Sequence, residues 1–302
     1  MKRLTIILGP TAVGKSAYAL EYAERIGSPI INCDSRQIYK EFNIGVARPS
    51  EEQLRRVKHY LIATHSITEY YTAGKFELEA LDIIERLFQT HDELVMCGGS
   101  GLYIDALCCG IDPFPAADSK LREELTQQLK REGLESLQQK LKEIDAESFN
   151  TIEISNPQRV IRAIEVTLQT GKKFSQWKST SQSTTLANKK RDFQIVKIGL
   201  NCDRALLYDR INKRVDIMMQ AGLLEEVISL DKYRWKDGLL HSDLLHIPPL
   251  RTVGYRELFD YIDKKCSLEK AIELIKRNTR HYAKRQMTWW GRDKNIEWQT
   301  IG

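Results

Sequence analysis

The chain has 302 residues, 42% of them apolar and 29% charged, and a formal net charge of +5, the profile of a soluble globular protein with one large or two modest domains. Its six cysteines, Cys33, Cys97, Cys108, Cys109, Cys202 and Cys266, form no CxxC pair and no zinc-type spacing with histidine, which excludes a cysteine metal site and points to reduced thiols. No segment approaches the roughly 20 apolar residues of a membrane span, and the apolar run in "MKRLTIIL" is too short for a signal peptide, so a cytoplasmic protein is expected.

In chain order, Lys2 to Leu8 reads as a short apolar strand, and Gly9 to Ser16, "GPTAVGKS", fits the phosphate-loop pattern GxxxxGK[ST] without mismatch. Helix formers follow through Ala23, so strand, glycine loop and helix stand in the order that the motif requires. Gly9 and Gly14 let the backbone curl until successive N–H groups face an anion, and the helix dipole adds positive potential at the same place. Lys15 would reach a phosphate oxygen, and the Ser16 hydroxyl would sit on Mg²⁺. "SPIINCDSRQIY" gives a second apolar run ending at Asp34, "ELVMCGGSG" a third from Glu93 to Gly101, and "FQIVKIGL" near Phe193 a fourth. Apolar runs alternating with helical stretches predict an α/β fold, a parallel sheet flanked by helices, with the site at the carboxyl ends of the strands.

From Asp118 the pattern changes to leucines at helical spacing among charges, interrupted near Gly133. "NPQRVIRAIEVTLQTGK" then predicts a helix with Asn156 as its cap, Pro157 at the first helical position and an end near Gly171. A Ser, Thr and Lys-rich loop precedes the strand at Phe193. Residues 118–190 are therefore expected to form a helical insertion in a discontinuous core of residues 1–117 and 191–302, whose last third is helical.

Asp34, at a strand end beside Lys15, has the position of a general base or metal-binding carboxylate, with helix capping as the alternative. Gln37 has an amide suited to an adenine edge, and Arg210 and Arg214, one helical turn apart, offer a cation for a leaving phosphate. Arg159 and Arg162 share a helix face opposite Ile161 and Ile164 and read first as a solvated basic face. The run with Lys276, Arg277, Arg280, Lys284, Arg285 and Arg292 carries Tyr282, Trp289 and Trp290 between its charges, the make-up of an RNA surface or of a charged helix with core tryptophans. Lys172, Lys173, Lys178, Lys189 and Lys190, with Arg191 just after them, add a second basic cluster at the insertion.

Taken together, the chain resembles the tRNA dimethylallyltransferases, also called tRNA isopentenyltransferases, over nearly its whole length. The resemblance rests on "GPTAVGKS", "DSRQIYK" (Asp34 to Lys40), "GGSGLYIDAL" (Gly98 to Leu107), "NPQRVIRAIEV" (Asn156 to Val166), "RINKRVDIMMQAGLLEEV" (Arg210 to Val227), "VGYRELFDY" (Val253 to Tyr261) and "TRHYAKRQMTWW" (Thr279 to Trp290). It implies a core like that of the phosphate-loop nucleoside triphosphate hydrolases with an all-helical insertion that grips a tRNA anticodon stem-loop. It also implies transfer of the five-carbon group of dimethylallyl diphosphate to N6 of adenosine 37, giving N6-isopentenyladenosine and diphosphate.

By that resemblance Asp34 takes the N6 proton, while Gly9, Pro10, Thr11, Ala12, Val13, Gly14, Lys15, Ser16 and Arg214 hold the diphosphate, with Mg²⁺ on Ser16. Asp34, Ser35, Arg36 and Gln37 would hold a flipped adenine, with Ser100 beside them, and Arg122, Gln158, Arg159, Val160, Ile161, Arg162, Arg280 and Lys284 would contact the tRNA. The family's usual "GTAKP" stands here as "GVARP" (Gly45 to Pro49), Ser100 replaces a common threonine and Lys40 a common arginine. Three rivals remain: a related transferase that prenylates free AMP, ADP or ATP, a phosphate-loop kinase with ATP in the loop, and a non-catalytic RNA-binding protein. A monomer is expected, since no long heptad or exposed apolar stripe is evident.

Overall fold

The computed structural model describes residues 1–111, 114–115, 117–177, 190–236, 238–240 and 247–302, so Lys178 and Lys189 lie outside the described residues. The chain divides into two compact units, residues 1–107 with 191–302, and residues 108–190. The helical unit starts ahead of the leucine periodicity at Asp118, because Phe114 in the preceding stretch stacks on Phe174 at 4.9 Å.

The first unit is built on β1 (Arg3–Leu8), β2 (Ile30–Asn32), β3 (His59–Tyr60), β4 (Glu93–Cys97), β5 (Gln194–Asn201) and, after a hairpin of β6 (Trp235–Lys236) and β7 (Leu239–Leu240), β8 (Ile296–Thr300). Six of these form one parallel sheet in the order β3-β2-β4-β1-β5-β8. Its central strand is buried from Leu4 to Leu8, which explains a continuous apolar run where a one-sided sheet would alternate. Helices α1 (Lys15–Ile26), α2 (Glu51–Arg56), α3 (Ala73–Leu87) and α4 (Gly101–Cys109) lie between the strands in sequence. Four strands of the sheet were expected. The two additional ones, β3 and β8, are both edge strands, one of only two residues and the other with a single buried residue, so neither leaves a recognisable hydrophobic pattern.

In the second unit, α5 (Ser119–Ile144) is broken at Gly133, where φ is 83°, and is followed by α6 (Ala146–Thr151) and α7 (Pro157–Thr170). The Asn156 side chain accepts from the N–H groups of Gln158 and Arg159, with Pro157 opening the helix, so local capping chemistry sets this start as read from the sequence. Leu125, Leu137, Leu141, Val160, Ile161 and Ile164 form the core of this unit.

Returning to the first unit, α8 (Arg204–Gln220) and α9 (Leu223–Ser229) come from one apolar-periodic run that is interrupted at Gly222, with φ 98°. Then α10 (Tyr255–Ile262) and α11 (Leu268–Trp290) complete a second apolar core with Phe42, Leu223, Leu250, Tyr255, Leu258 and Phe259. Among the described residues no helix is long and apolar enough to cross a membrane.

Candidate active site

The parallel order β2-β4-β1 brings three strand ends side by side, so the turns after Leu8, Asn32 and Cys97 meet at one edge of the sheet. At Gly9, where φ is 146°, an added Cβ would lie 2.5 Å from the carbonyl oxygen of Leu200, so the turn presses directly on β5. Ala12 also takes a positive φ, 65°, a conformation that costs free energy in a residue with a side chain. Gly14, with φ 107°, caps α1 without a side-chain hydrogen bond, which leaves the first helical N–H groups for an anion.

Lys15 arches back over the loop, its Nζ donating to the carbonyl of Pro10 at 2.8 Å. Burial pulls this ammonium down to about 8, outweighing the pull of Cys97 and Asp34 in the other direction, and the nearby Arg214 guanidinium adds to the depression. Arg214 projects from α8 into the same space and is itself shifted down by burial, against the attraction of Asp34. Among the described residues it forms no hydrogen bond or ion pair, so its charge lacks a direct partner.

Asp34 is held from behind by Asn32, 4% exposed, whose Oδ1 accepts from the Asp34 N–H at 3.0 Å while its Nδ2 donates to the Asp34 carbonyl. One carboxylate oxygen, Oδ1, accepts from the backbone N–H of Arg36 at 2.8 Å and of Gln37 at 3.4 Å, so Asp34 closes a turn; no helix begins here, and the helix-capping alternative does not hold. Oδ2 accepts no hydrogen bond among the described residues and faces Gly99, which leaves one oxygen for a proton. The next turn is tied in by Ser100, whose Oγ accepts from the Ser35 N–H at 2.8 Å and donates to the Ser35 hydroxyl.

A cleft of about 340 Å³ opens on this edge, with Thr11, Asp34, Ser35, Arg36, Arg214, Arg251 and Arg285 among its polar lining. Val46, Ile211, Val215, Met218, Leu223 and Ile275 supply the apolar part of its wall. The arrangement sets a helix start with unpartnered N–H groups and the cations Lys15 and Arg214 near a carboxylate oxygen that accepts no hydrogen bond among the described residues. Gln37 has a part besides the adenine contact expected: its Nε2 donates to the carbonyls of Val46 and Ala47 at 3.0 and 2.9 Å and so fixes the wall. Arg48 in that wall donates to the carbonyls of Tyr39, Lys40 and Phe42, and Glu226 accepts from the N–H groups of Ile44 and Gly45.

In the helical unit, Arg122 and Arg162 converge on a single oxygen of Glu165, at 2.5 and 2.9 Å, with that glutamate fully buried. Gln158 and Arg159 are exposed, and Arg159 pairs with Glu153 at 3.1 Å. Val160 and Ile161 do not belong with them: both are buried in the core of the unit, because residues 160 and 161 fall on the inward face of α7. On α11, Lys284 is exposed, whereas Arg280 donates to Asn212 at 2.6 Å and lies over the Tyr208 ring. The tryptophans of this helix belong to packing: Trp290 is 2% exposed, and the Trp289 indole donates to Asp105 at 2.9 Å.

No cluster of three or more His, Cys, Asp or Glu that could hold a metal exists among the described residues. The hard oxygen of Ser16, exposed at the start of α1, nevertheless suits Mg²⁺, which takes its remaining ligands from phosphate and water.

Sequence reading missed Gln286, 6% exposed on α11, whose Oε1 accepts from the Thr11 N–H at 2.9 Å and whose Nε2 donates to the Gly99 carbonyl at 2.8 Å. Its presence within "TRHYAKRQMTWW" was the one signal available.

The sequence profile of the IPP transferase family matches residues 37–293. A protein of Bacteroides thetaiotaomicron named tRNA dimethylallyltransferase 1 is 44% identical over 298 residues, covering 99% of this chain and 91% of that protein. The crystal structure of a tRNA isopentenylpyrophosphate transferase from Bacillus halodurans superposes with a TM-score of 0.69 at 32% identity, covering 99% of this chain and 90% of the other. A eukaryotic dimethylallyltransferase described as acting on tRNA superposes at 0.78 with 25% identity, over 99% of this chain and 74% of its own. With phosphate loop, strand-end carboxylate and this likeness along its length, the chain belongs to the IPP transferase family, the tRNA dimethylallyltransferases.

Proposed function

We propose that the chain transfers the dimethylallyl group of dimethylallyl diphosphate to N6 of adenosine 37 in tRNA, with Asp34 as general base. The observation that carries this assignment is the pairing, in one cleft, of an Asp34 oxygen without a hydrogen-bond partner and an Arg214 guanidinium that makes no hydrogen bond or ion pair among the described residues. An adenine amine is a weak nucleophile because its lone pair is delocalised into the ring, so both ends of the reaction need assistance. N6 attacks the allylic carbon, the carbon–oxygen bond to diphosphate breaks with its electron pair going to oxygen, and the N6 proton passes to Asp34 Oδ2. General-base help of this kind contributes about 10²- to 10⁴-fold.

The departing charge would fall beside Arg214, which lines the cleft, and the unpartnered N–H groups at the start of α1, while Lys15 Nζ, held at the Pro10 carbonyl, has two further protons to offer it. Ser16 and the diphosphate oxygens would hold Mg²⁺, which supplies further charge neutralisation when bound. The apolar wall of the cleft suits the five-carbon tail and keeps water from the allylic carbon. Because the base is stacked in a folded anticodon loop, it has to be flipped to enter. Arg36 at the cleft, Arg122, Arg159 and Arg162 in the helical unit and Lys284 on α11 supply phosphate contacts.

The test is transfer of radiolabel from dimethylallyl diphosphate, with Mg²⁺, to an unmodified anticodon stem-loop RNA with adenosines at positions 36 and 37, run beside AMP. Label is expected in the RNA alone, and Asp34→Asn is expected to lower kcat by about 10²- to 10⁴-fold. Label in AMP, or full activity in Asp34→Asn, would overturn the assignment.

A further inference from the structure

Gln286 forms no part of the reaction as written, yet it is the side chain that joins its two halves. On one side it meets Thr11, in the loop that ends at Lys15; on the other it meets Gly99, next to Ser100, whose hydroxyl holds the Ser35 N–H beside Asp34. The orientation of the amide is fixed by its partners, since an N–H faces Oε1 and a carbonyl faces Nε2, and a flip would set like against like at both ends. The fit is close: a Cβ on Gly99 would lie 2.5 Å from Nε2. One turn earlier on α11, Tyr282 lines the cleft with its hydroxyl 3.5 Å from the same Gly99 carbonyl.

We propose that Gln286 is a positioning residue that keeps the phosphate loop in register with the carboxylate turn, so that a donor held by the first meets the amine deprotonated by the second. This inference rests on the transfer reading above. Nucleophile and allylic carbon must approach to about 3–3.5 Å with orbitals aligned, and a misplacement of about 1 Å costs on the order of 10²-fold. Lys15, Arg214 and the N–H groups of α1 hold the diphosphate whether or not the brace is present, so its loss acts on kcat rather than on donor binding.

Two substitutions separate this from a merely structural role. Gln286→Met keeps the volume and removes both hydrogen bonds. Gln286→Glu keeps the shape: protonated, its hydroxyl donates to Gly99 while its carbonyl accepts from Thr11, and ionised, it sets an oxygen against the Gly99 carbonyl. Steady-state kinetics with dimethylallyl diphosphate and stem-loop RNA, below the melting temperature of each variant, are expected to show Gln286→Met with kcat lowered about 10- to 100-fold and donor KM within about threefold. Gln286→Glu is expected to regain activity relative to wild type as pH falls. Unchanged kcat in the Met variant, a rise in donor KM with kcat intact, or a Glu variant equally impaired at every pH would overturn the proposal. Should Gln286→Met fail to fold, the pH profile of the Glu variant decides alone. A wild-type protein that transfers no label refutes the transfer reading itself, and these ratios are then not reached.

Discussion

Lys15 shows how a single side chain ties the chemistry to pH. Its ammonium is held down to about 8 in the free protein by burial, and a diphosphate beside it favours the charged form. Below pH 8 the charge is present and donor KM is expected to be flat; above it the free protein loses that charge and KM rises. Lys15→Arg, charged throughout, should abolish the rise in a KM profile from pH 6.5 to 9.5, though with lower kcat because a planar fork does not replace a point charge. In the helical unit the corresponding control is Glu165, whose one oxygen accepts from both Arg122 and Arg162. Gln in its place removes the negative charge between two cations, so the arginines separate. RNA KM is expected to rise about tenfold, the scale of a hydrogen bond to a charged group, with kcat at saturating RNA within about twofold. An unchanged RNA KM would show that those arginines do not contact RNA.

Among the elements, α11 has the largest organising role. Tyr282, Gln286 and Trp289, spaced four and three residues apart, share one face: the first two meet the turn after β4 at the Gly99 carbonyl, and the third meets Asp105 in the following helix, α4. Gly101 is what allows this approach, since a Cβ there would lie 2.4 Å from Trp289. Gly101→Ala is accordingly expected to destabilise the fold by about 1–3 kcal/mol, measurable by urea denaturation, and to lower kcat as α11 shifts. The same helix marks how far sequence reasoning reaches. The phosphate loop and the start of α7 were legible because their determinants are local: glycines at fixed spacing in one, Asn156 and Pro157 in the other. Gln286 was not, because its partners lie 275 and 187 residues away. The second part that Gln37 plays was hidden for a related reason: an amide suited to a base serves a backbone equally well, and only the fold brings the carbonyls of Val46 and Ala47 to its Nε2. Val160 and Ile161 entered the RNA set as members of a contiguous stretch, whereas a helix sorts its residues by face.

For the molecule as a whole, the modest excess of +5 conceals an uneven distribution. Arg36, Arg214, Arg251 and Arg285 line the cleft, with Asp34 as the carboxylate among its lining residues. Two substrates that are both polyanions therefore answer differently to salt. If the RNA docks on several exposed cations, as proposed, it releases counterions on binding, and its KM is expected to rise steeply, by at least tenfold, between 50 and 200 mM salt. On the proposed reading the donor diphosphate lies between Lys15 and Arg214, and its KM should change by no more than about threefold over the same range, because buried pairs are screened much less. Equal sensitivities would place the donor's charge in open solvent and contradict the enclosed loop.

The wall of the cleft between Ile44 and Arg48 is held through its main chain by Glu226, which takes two of its N–H groups, and Gln37, which takes two of its carbonyls, and through one of its own side chains, Arg48, on the carbonyls of Tyr39, Lys40 and Phe42. The hydrogen bonds that set the path of this segment thus bypass the side chain of Val46, which faces the cleft and packs at the margin of the core, and this leaves that position open to apolar exchange by evolutionary drift or deliberate redesign. A new donor preference could be selected at that one position while the scaffold around it stayed as it is.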